Sequence, residues 1–296
     1  MQAASRLPRV DTPLRDAQVT IVGLGLMGGS LAAALKQANA CRRVVGVVRR
    51  LEPAAFALEH GWVDEASTNL AETLPEADIV VLATPVRTIV ELVPRVGSRV
   101  KPGCLVMDLG STKAVITQAL QSLPEHVMVV GGHPMCGKET SGIDAAEPSL
   151  FEGQVFVLTP LRRTRQSALS LAHELVEAIG ARPLVLEAEE HDHLAATTSH
   201  LPYLLACGLV GSAEQVAGDH PLLWQLAAGG FRDTSRLAAS SVEMMLDILM
   251  TNRDAVLAAL GTYEARLGLL ARSLRTHDES NLRQLLEAAA ARRGSM

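Results

Sequence analysis

The stretch VTIVGLGLMGGSLAAALK, Val19 to Lys36, decides the fold. Val19–Val22 read as a buried strand, and the chain then breaks into Gly23-x-Gly25-x-x-Gly28 before an apolar helical pattern resumes. Gly23 permits a tight turn, Gly25 lets backbone approach a pyrophosphate, and Gly28 lets the helix pack on the strand. The helix N-terminus then points at the phosphates, which makes the segment a dinucleotide site. Leu26 and Met27, inside the same turn, share the cofactor-binding assignment with Gly23, Gly25 and Gly28.

Working outward, strand and helix patterns alternate. Strands are expected at Arg43–Val48, Asp78–Ala83, Cys104–Leu109, Val127–Val130, Val155–Leu158 and Pro183–Leu186. Helices are expected at Pro53–His60, Val86–Val96, after Ser111, and at Arg165–Ile179. Such alternation predicts an α/β fold, a Rossmann-type doubly wound, mostly parallel sheet. From Glu189 strand-like runs vanish and alanine- and leucine-rich helical patterns take over, at Glu190–Ala217, Leu222–Ala228, Val242–Met250, Arg253–Leu274 and Asn281–Ala291. The expected division is a dinucleotide-binding domain over residues 1–188 and an all-helical substrate and dimerisation domain over 189–296. The last helices read as too apolar for a monomer surface, so a homodimer through the helical domain is expected.

With 296 residues, 48% of them hydrophobic, the chain is long enough for two cored domains. A net charge of −5 offers no broad basic surface, so nucleic acid and anionic membrane are not expected partners and a small-molecule substrate is. Cys41, Cys104, Cys136 and Cys207 lack C-x-x-C spacing, which argues against a disulfide framework or zinc site and fits a cytoplasmic location. The first residues, up to Gln18, lack a signal-peptide core and read as a polar, proline-punctuated lead-in. Leu201–Val210 is well short of the roughly 18 residues that span a bilayer and reads as a buried helix.

The second strand ends GVVRR. Val48 stands where an NAD site places a carboxylate for the ribose hydroxyls, and Arg49 and Arg50 follow it. Paired guanidiniums suit a 2′-phosphate, so NADP is preferred over NAD; the alternative is a solvated charge pair at a strand end.

Ligands in such sheets bind beyond the carboxyl ends of strands, where three segments fall. Thr84 and Pro85 form a turn that either lies against the cofactor or is purely structural. In DLGSTK, Asp108–Lys113, Ser111 is either a helix N-cap or a hydroxyl facing the cofactor. In GGHPMCGKETSG, Gly131–Gly142, His133 reads as a loop histidine directly after a strand. It can take a hydroxyl proton near neutral pH while a hydride leaves the same carbon. His191, His193 and His200 form no convincing metal set, so packing or capping is expected of them and no metal is predicted. Arg232 and Arg236, four apart, share a helix face if that segment is helical, and either could clamp a carboxylate.

Taken in order, GLGLMGGS, DLGSTK, GGHPMCGKETSG, SHLPY and GGFRDTSR resemble the prephenate and arogenate dehydrogenases of tyrosine biosynthesis, from Val19 to beyond Arg266. The resemblance implies oxidation of the ring 4-hydroxyl of a cyclohexadienol, hydride transfer to the nicotinamide and loss of carbon dioxide. It assigns His133 as proton acceptor, Ser111 as the group that holds the hydroxyl and the histidine, and Arg236 as the substrate-carboxylate site. Ser199 and Tyr203 line the pocket, while Glu139 and Asp233 match an ionic gate around the arginine in some relatives. Tyr203 departs from the SHLPH of many relatives, and a neutral phenol serves the side chain of either substrate. GVVRR resembles the NADP-using, arogenate-type members and favours arogenate by association. With no regulatory domain expected after the helical part, feedback by tyrosine, if present, is expected to act at the active site or dimer interface. Two alternatives stand beside this family: a β-hydroxyacid dehydrogenase, whose helical-domain lysine has no counterpart after Lys138, and a non-catalytic NADP-binding sensor.

Overall fold

The computed structural model describes residues 12–295; the first eleven residues, and so most of the expected lead-in, lie outside it. The decisive stretch folds as read: β1 (Gln18–Val22) is wholly buried and runs through the glycine turn into α1 (Leu26–Gln37). β2 (Arg43–Val47) follows, then α2 (Leu51–Glu59), a short β3 (Glu65–Ser67) and α3 (Leu70–Thr73). β4 (Ile79–Leu82), α4 (Val86–Gly97), β5 (Leu105–Asp108), α5 (Ala114–Gln121) and β6 (Met128–Pro134) continue the alternation. β7 (Val155–Thr159), α6 (Gln166–Ala178) and β8 (Arg182–Val185) complete the sheet.

The eight strands lie in the order β3-β2-β1-β4-β5-β6-β7-β8, parallel except for the antiparallel pair β6–β7. Chain direction across the sheet reverses between β1 and β4. This switch point opens a crevice at their carboxyl ends, where dinucleotides bind in doubly wound sheets. Apolar clusters cover both faces. One centres on Ile21, Leu31, Ile79, Met107, Phe156 and Leu175, the other on Val80, Leu82, Ile89, Val106 and Ile116. Strands covered on both faces read as continuous Val/Ile/Leu runs, which is why they were legible. β3 and α3 were missed, because Glu65-Ala66-Ser67 sits at the sheet edge and carries no apolar run.

Two departures matter for the site. β6 runs to Pro134, so His133 belongs to a strand and pairs opposite Val157 of β7; the glycines at 131 and 132 had read as loop. Gly132 is there for contact, since a Cβ would come 2.5 Å from the Asp108 carbonyl oxygen. Ser111 starts no helix and caps none; α5 begins at Ala114.

Beyond β8 the described chain is helical: α7 (Ala188–Ala195), a π turn over Ala196–His200, and α8 (Leu201–Ala217). These form one continuous 30-residue rod, matching the helix expected over Glu190–Ala217; taken whole it is long and apolar enough by length and composition to cross a membrane, where the apolar stretch Leu201–Val210 alone had read as too short. Pro202, with no N–H to give the turn before it, explains why the rod widens into a π turn there. α9 (Leu223–Leu226), α10 (Gly229–Ser235), α11 (Val242–Thr251), α12 (Arg253–Arg275) and α13 (Glu279–Gly294) follow. α13 is polar and buries none of its residues, contrary to the expected apolar end. Exposed apolar side chains of the helical part include a run from Leu222 to Leu257 and continue along α12 at Leu267, Leu269 and Leu274.

The glycine turn makes a sharp stability test. At Gly28 a Cβ would stand 1.9 Å from the Gly23 carbonyl oxygen, whereas at Gly25 nothing lies within 4 Å. Urea denaturation should show Gly28→Ala destabilised by about 2 kcal/mol or more and Gly25→Ala close to wild type.

Candidate active site

The crevice is lined first by the turn into α1. Gly23 has φ +102°, and a Cβ there would meet the Ala83 carbonyl oxygen at 2.7 Å and Thr84 Cγ2 at 2.9 Å, so this turn and the Thr84–Pro85 turn touch. Gly25 is the N-cap of α1 and supplies no side-chain cap, with open space beside its Cα. Uncapped N–H groups at a helix start suit a phosphate, and the buried Thr84 Oγ1 has no partner among the described residues. These features fit a dinucleotide. Leu26 and Met27 lie in the first turn of α1, half-buried and packed on the core. Arg49 and Arg50 are exposed just past β2, beside the buried, uncharged Val48.

The second wall is the segment Asp108–Lys113. Asp108, fully buried at the end of β5, accepts from Gly110 N–H at 2.8 Å and from Gly132 N–H at 3.1 Å. Its carboxylate pairs with Lys113, also fully buried, whose ammonium donates to the Gly132 carbonyl at 2.5 Å. Burial lowers the Lys113 pKa, and Asp108 opposes the shift. Sequence reading passed over both residues as members of a motif, since nothing in a Lys at a helix start signals complete burial. They brace the loop carrying Ser111, which is half-exposed with its hydroxyl unpartnered among the described residues, against the strand carrying His133.

His133 is 8% exposed. Burial first, then the charges of His191, Lys113 and His200, hold its pKa well below the usual histidine value, so the ring is neutral at pH 7. Its Nδ1 lies 2.8 Å from His191 Nε2, and His191 Nδ1 lies 2.8 Å from Asp192 Oδ1. Asp192 comes from α7 and caps α5, accepting from Lys113 N–H at 2.6 Å and Ala114 N–H at 2.9 Å. Asn252 donates to the Asp192 backbone carbonyl at 2.7 Å and its amide nitrogen lies 3.2 Å from His200 Nδ1. Packing and capping were expected of this histidine cluster; the chain His133–His191–Asp192 is a connection that residues 58 apart could not announce in sequence.

A third group joins the helical part to the segment after β6. Arg236, the C-cap of α10 where a 3₁₀ turn (Arg236–Ala239) begins, pairs with Glu139 of the segment after β6. Lys138, next in sequence, pairs instead with Glu147 at 2.8 Å, so adjacent charges tie this segment to both sides. No ion pair joins Asp233 to Arg236 among the described residues. Arg232 lies on α10 itself, so the two arginines do not share one regular helix. Tyr203 is buried with Met245, Ile248 and Leu237, the neighbour of Arg236. Ser199 is on the exposed side of the π turn; His200, 1% exposed, is the residue that faces inward.

An α/β chain with an open glycine turn at the β1/β4 switch point and a buried neutral histidine on β6, two strands beyond β4, has the parts of a nicotinamide-dependent dehydrogenase. Residues 31–185 match the family described as prephenate dehydrogenase, nucleotide-binding domain, and residues 187–288 that described as prephenate dehydrogenase, dimerization domain. The chain belongs to the prephenate dehydrogenase family. It is 35% identical to the prephenate dehydrogenase of Bacillus subtilis over 92% of this chain and 74% of that protein. Among solved structures, the prephenate dehydrogenase of Aquifex aeolicus in complex with hydroxyphenyl propionate and NAD+ superposes with a TM-score of 0.89 at 30% identity, covering 94% of this chain and 98% of that one. The arogenate dehydrogenase of Synechocystis gives 0.79 at 30% identity, covering 94% and 99%.

The buried histidines predict acid lability. Burial pushes His200 down to about 4, against the opposing pull of Asp192. An unfolded histidine takes up a proton below about pH 6.5, while folded His200 resists it down to about 4, so stability present above pH 6.5 is lost as pH falls through this window. Urea denaturation at pH 7 and pH 4.5 should show the drop between the two reduced by roughly 2–3 kcal/mol in His200→Gln.

Proposed function

We propose that this protein oxidatively decarboxylates prephenate, to 4-hydroxyphenylpyruvate, or arogenate, to tyrosine, in tyrosine biosynthesis, with residues 1–188 binding the cofactor and 189–296 completing the substrate site. A bound nicotinamide supplies the hydride acceptor. The observation that carries the assignment is His133, neutral and buried beside the dinucleotide crevice. It accepts the ring-hydroxyl proton as hydride departs, and aromatisation with loss of carbon dioxide follows. Ser111, with its free hydroxyl, holds the substrate hydroxyl. Arg236 binds a substrate carboxylate in exchange for Glu139, and Tyr203 and Ser199 border the substrate.

NADP is the preferred cofactor. Its 2′-phosphate would meet Arg49 and Arg50, which have no ion-pair partner among the described residues, where Val48 replaces the usual carboxylate. The protein acts as a homodimer: exposed Leu222, Trp224, Leu226, Val242, Leu246 and Met250 supply the apolar surface that the partner helices cover. A hydroxyacid dehydrogenase would need a helical-domain lysine, and no lysine follows Lys138.

Initial rates with prephenate and arogenate, each with NAD and NADP, test the proposal. Turnover is expected with at least one substrate, faster with NADP, and silence in all four combinations would favour the sensor. Arg49→Asp should move the NADP/NAD ratio of kcat/KM toward NAD by roughly tenfold or more, the effect of one charge-assisted bond of about 1.5 kcal/mol.

His133→Asn should lower turnover by roughly 10²-fold or more with cofactor affinity kept, while Arg236→Ala should act mainly by raising the substrate KM. Unchanged turnover in the first, or a purely reduced kcat in the second, would remove that residue from its role.

A further inference from the structure

We propose that His191 and Asp192 form a proton relay behind His133, fixing its tautomer and taking up the positive charge that forms when it accepts the substrate proton. The relay rests on the function proposed above and adds two positioning residues to it.

The tautomers follow from what each partner can donate. Both Asp192 oxygens accept backbone N–H bonds at the start of α5, from Lys113 at 2.6 Å and Ala114 at 2.9 Å. Two backbone donors and a helix N-terminus hold the group as a carboxylate, which only accepts. His191 Nδ1, 2.8 Å from Asp192 Oδ1, therefore carries a proton and donates it. The neutral His191 ring then has a bare Nε2, and His133 Nδ1, 2.8 Å away, donates to it. The two rings meet edge-on, at 74°, with centroids 5.0 Å apart. One nitrogen remains: His133 Nε2 keeps its lone pair, which is what a base requires.

The same chain disposes of charge. An imidazolium on His133 is opposed by burial and by the neighbouring Lys113 ammonium. Lys113 is itself held by Asp108, and His200 is engaged at Nδ1 with Asn252, so neither offers His133 an anion. The relay does. As the substrate O–H bond breaks, the proton joins His133 Nε2; the His133 Nδ1–H bond then breaks and an N–H bond forms at His191 Nε2. One proton has moved through, and the cation rests on His191 against the Asp192 carboxylate.

Nitrogen-15 NMR of the imidazoles in the labelled apo-protein at pH 7.5, paired with steady-state kinetics, tests the relay. In wild type, His133 is expected protonated at Nδ1 and bare at Nε2. His191→Phe keeps a ring of similar size and leaves Asp192 its backbone bonds. It should move the His133 proton to Nε2 and cut kcat by about 10²-fold or more, with KM within threefold. His191→Gln can accept from His133 but cannot pass a proton on. It should retain the tautomer, lose about tenfold in kcat and shift the acidic limb of the pH profile. A wild-type His133 protonated at Nε2, or His191→Phe and His191→Gln both within threefold of wild-type kcat, overturns the relay. Absence of wild-type turnover would count against the proposed reaction, and the wild-type tautomer alone would then decide the ground state of the relay.

Discussion

The carboxylate of Asp192 is the joint on which the site depends. It is 4% exposed and accepts two backbone N–H groups of α5 and one imidazole N–H from its neighbour. A buried carboxylate with fewer donors would be costly, and with these it is held as an anion whose geometry the sheet domain sets. The helical rod is thereby located against the start of α5 and against β6 by hydrogen bonds, which are directional, rather than by apolar contact alone, which is not. His191 inherits its position from Asp192, and His133 meets a partner whose placement is fixed from both sides.

A second carboxylate repeats the device. Asp247 of α11, 7% exposed, accepts from the backbone N–H of Arg87 at 3.1 Å in the first turn of α4, and the Arg87 guanidinium lies 3.1 Å from its other oxygen. The N-termini of α4 and α5 thus both face a carboxylate from the helical part, while that of α1 has only Gly25. Helix starts attract anions through their unpaired N–H groups and dipole. Occupying these two with protein carboxylates leaves the α1 turn, with open space beside Gly25, free for a pyrophosphate.

The sheet was legible because its strands are buried on both faces and spell apolar runs, and the glycine turn because close backbone approach permits little else. What escaped was built from long-range pairing. Extension of β6 through Gly131-Gly132-His133 depends on β7 and on Asp108, not on local propensity, so glycines that ordinarily mark a loop lie in a strand. Ser111 looked like a helix cap because the true cap, Asp192, arrives from about eighty residues away. The edge strand β3 has no apolar signature to read, and α13 read as apolar because its alanines and leucines were counted while its many charged residues make the helix polar.

The buried Lys113–Asp108 pair sets the electrostatic character of the site. Burying an ion pair seldom stabilises a protein relative to apolar residues of the same size, so its retention calls for another reason. Lys113 donates to the carbonyl of Gly132, the residue before His133, and its charge adds to burial in keeping that ring unprotonated. One side chain therefore helps both to place the strand that carries His133 and, after burial and His191, to keep its ring neutral. A base kept neutral by a fixed cation and by exclusion of water needs a second outlet for charge once it takes a proton, and the only anion within the histidine chain is Asp192. Lys113 on one side and Asp192 on the other give the histidine pair a polarity, with the ammonium nearest His133 and the carboxylate beside His191.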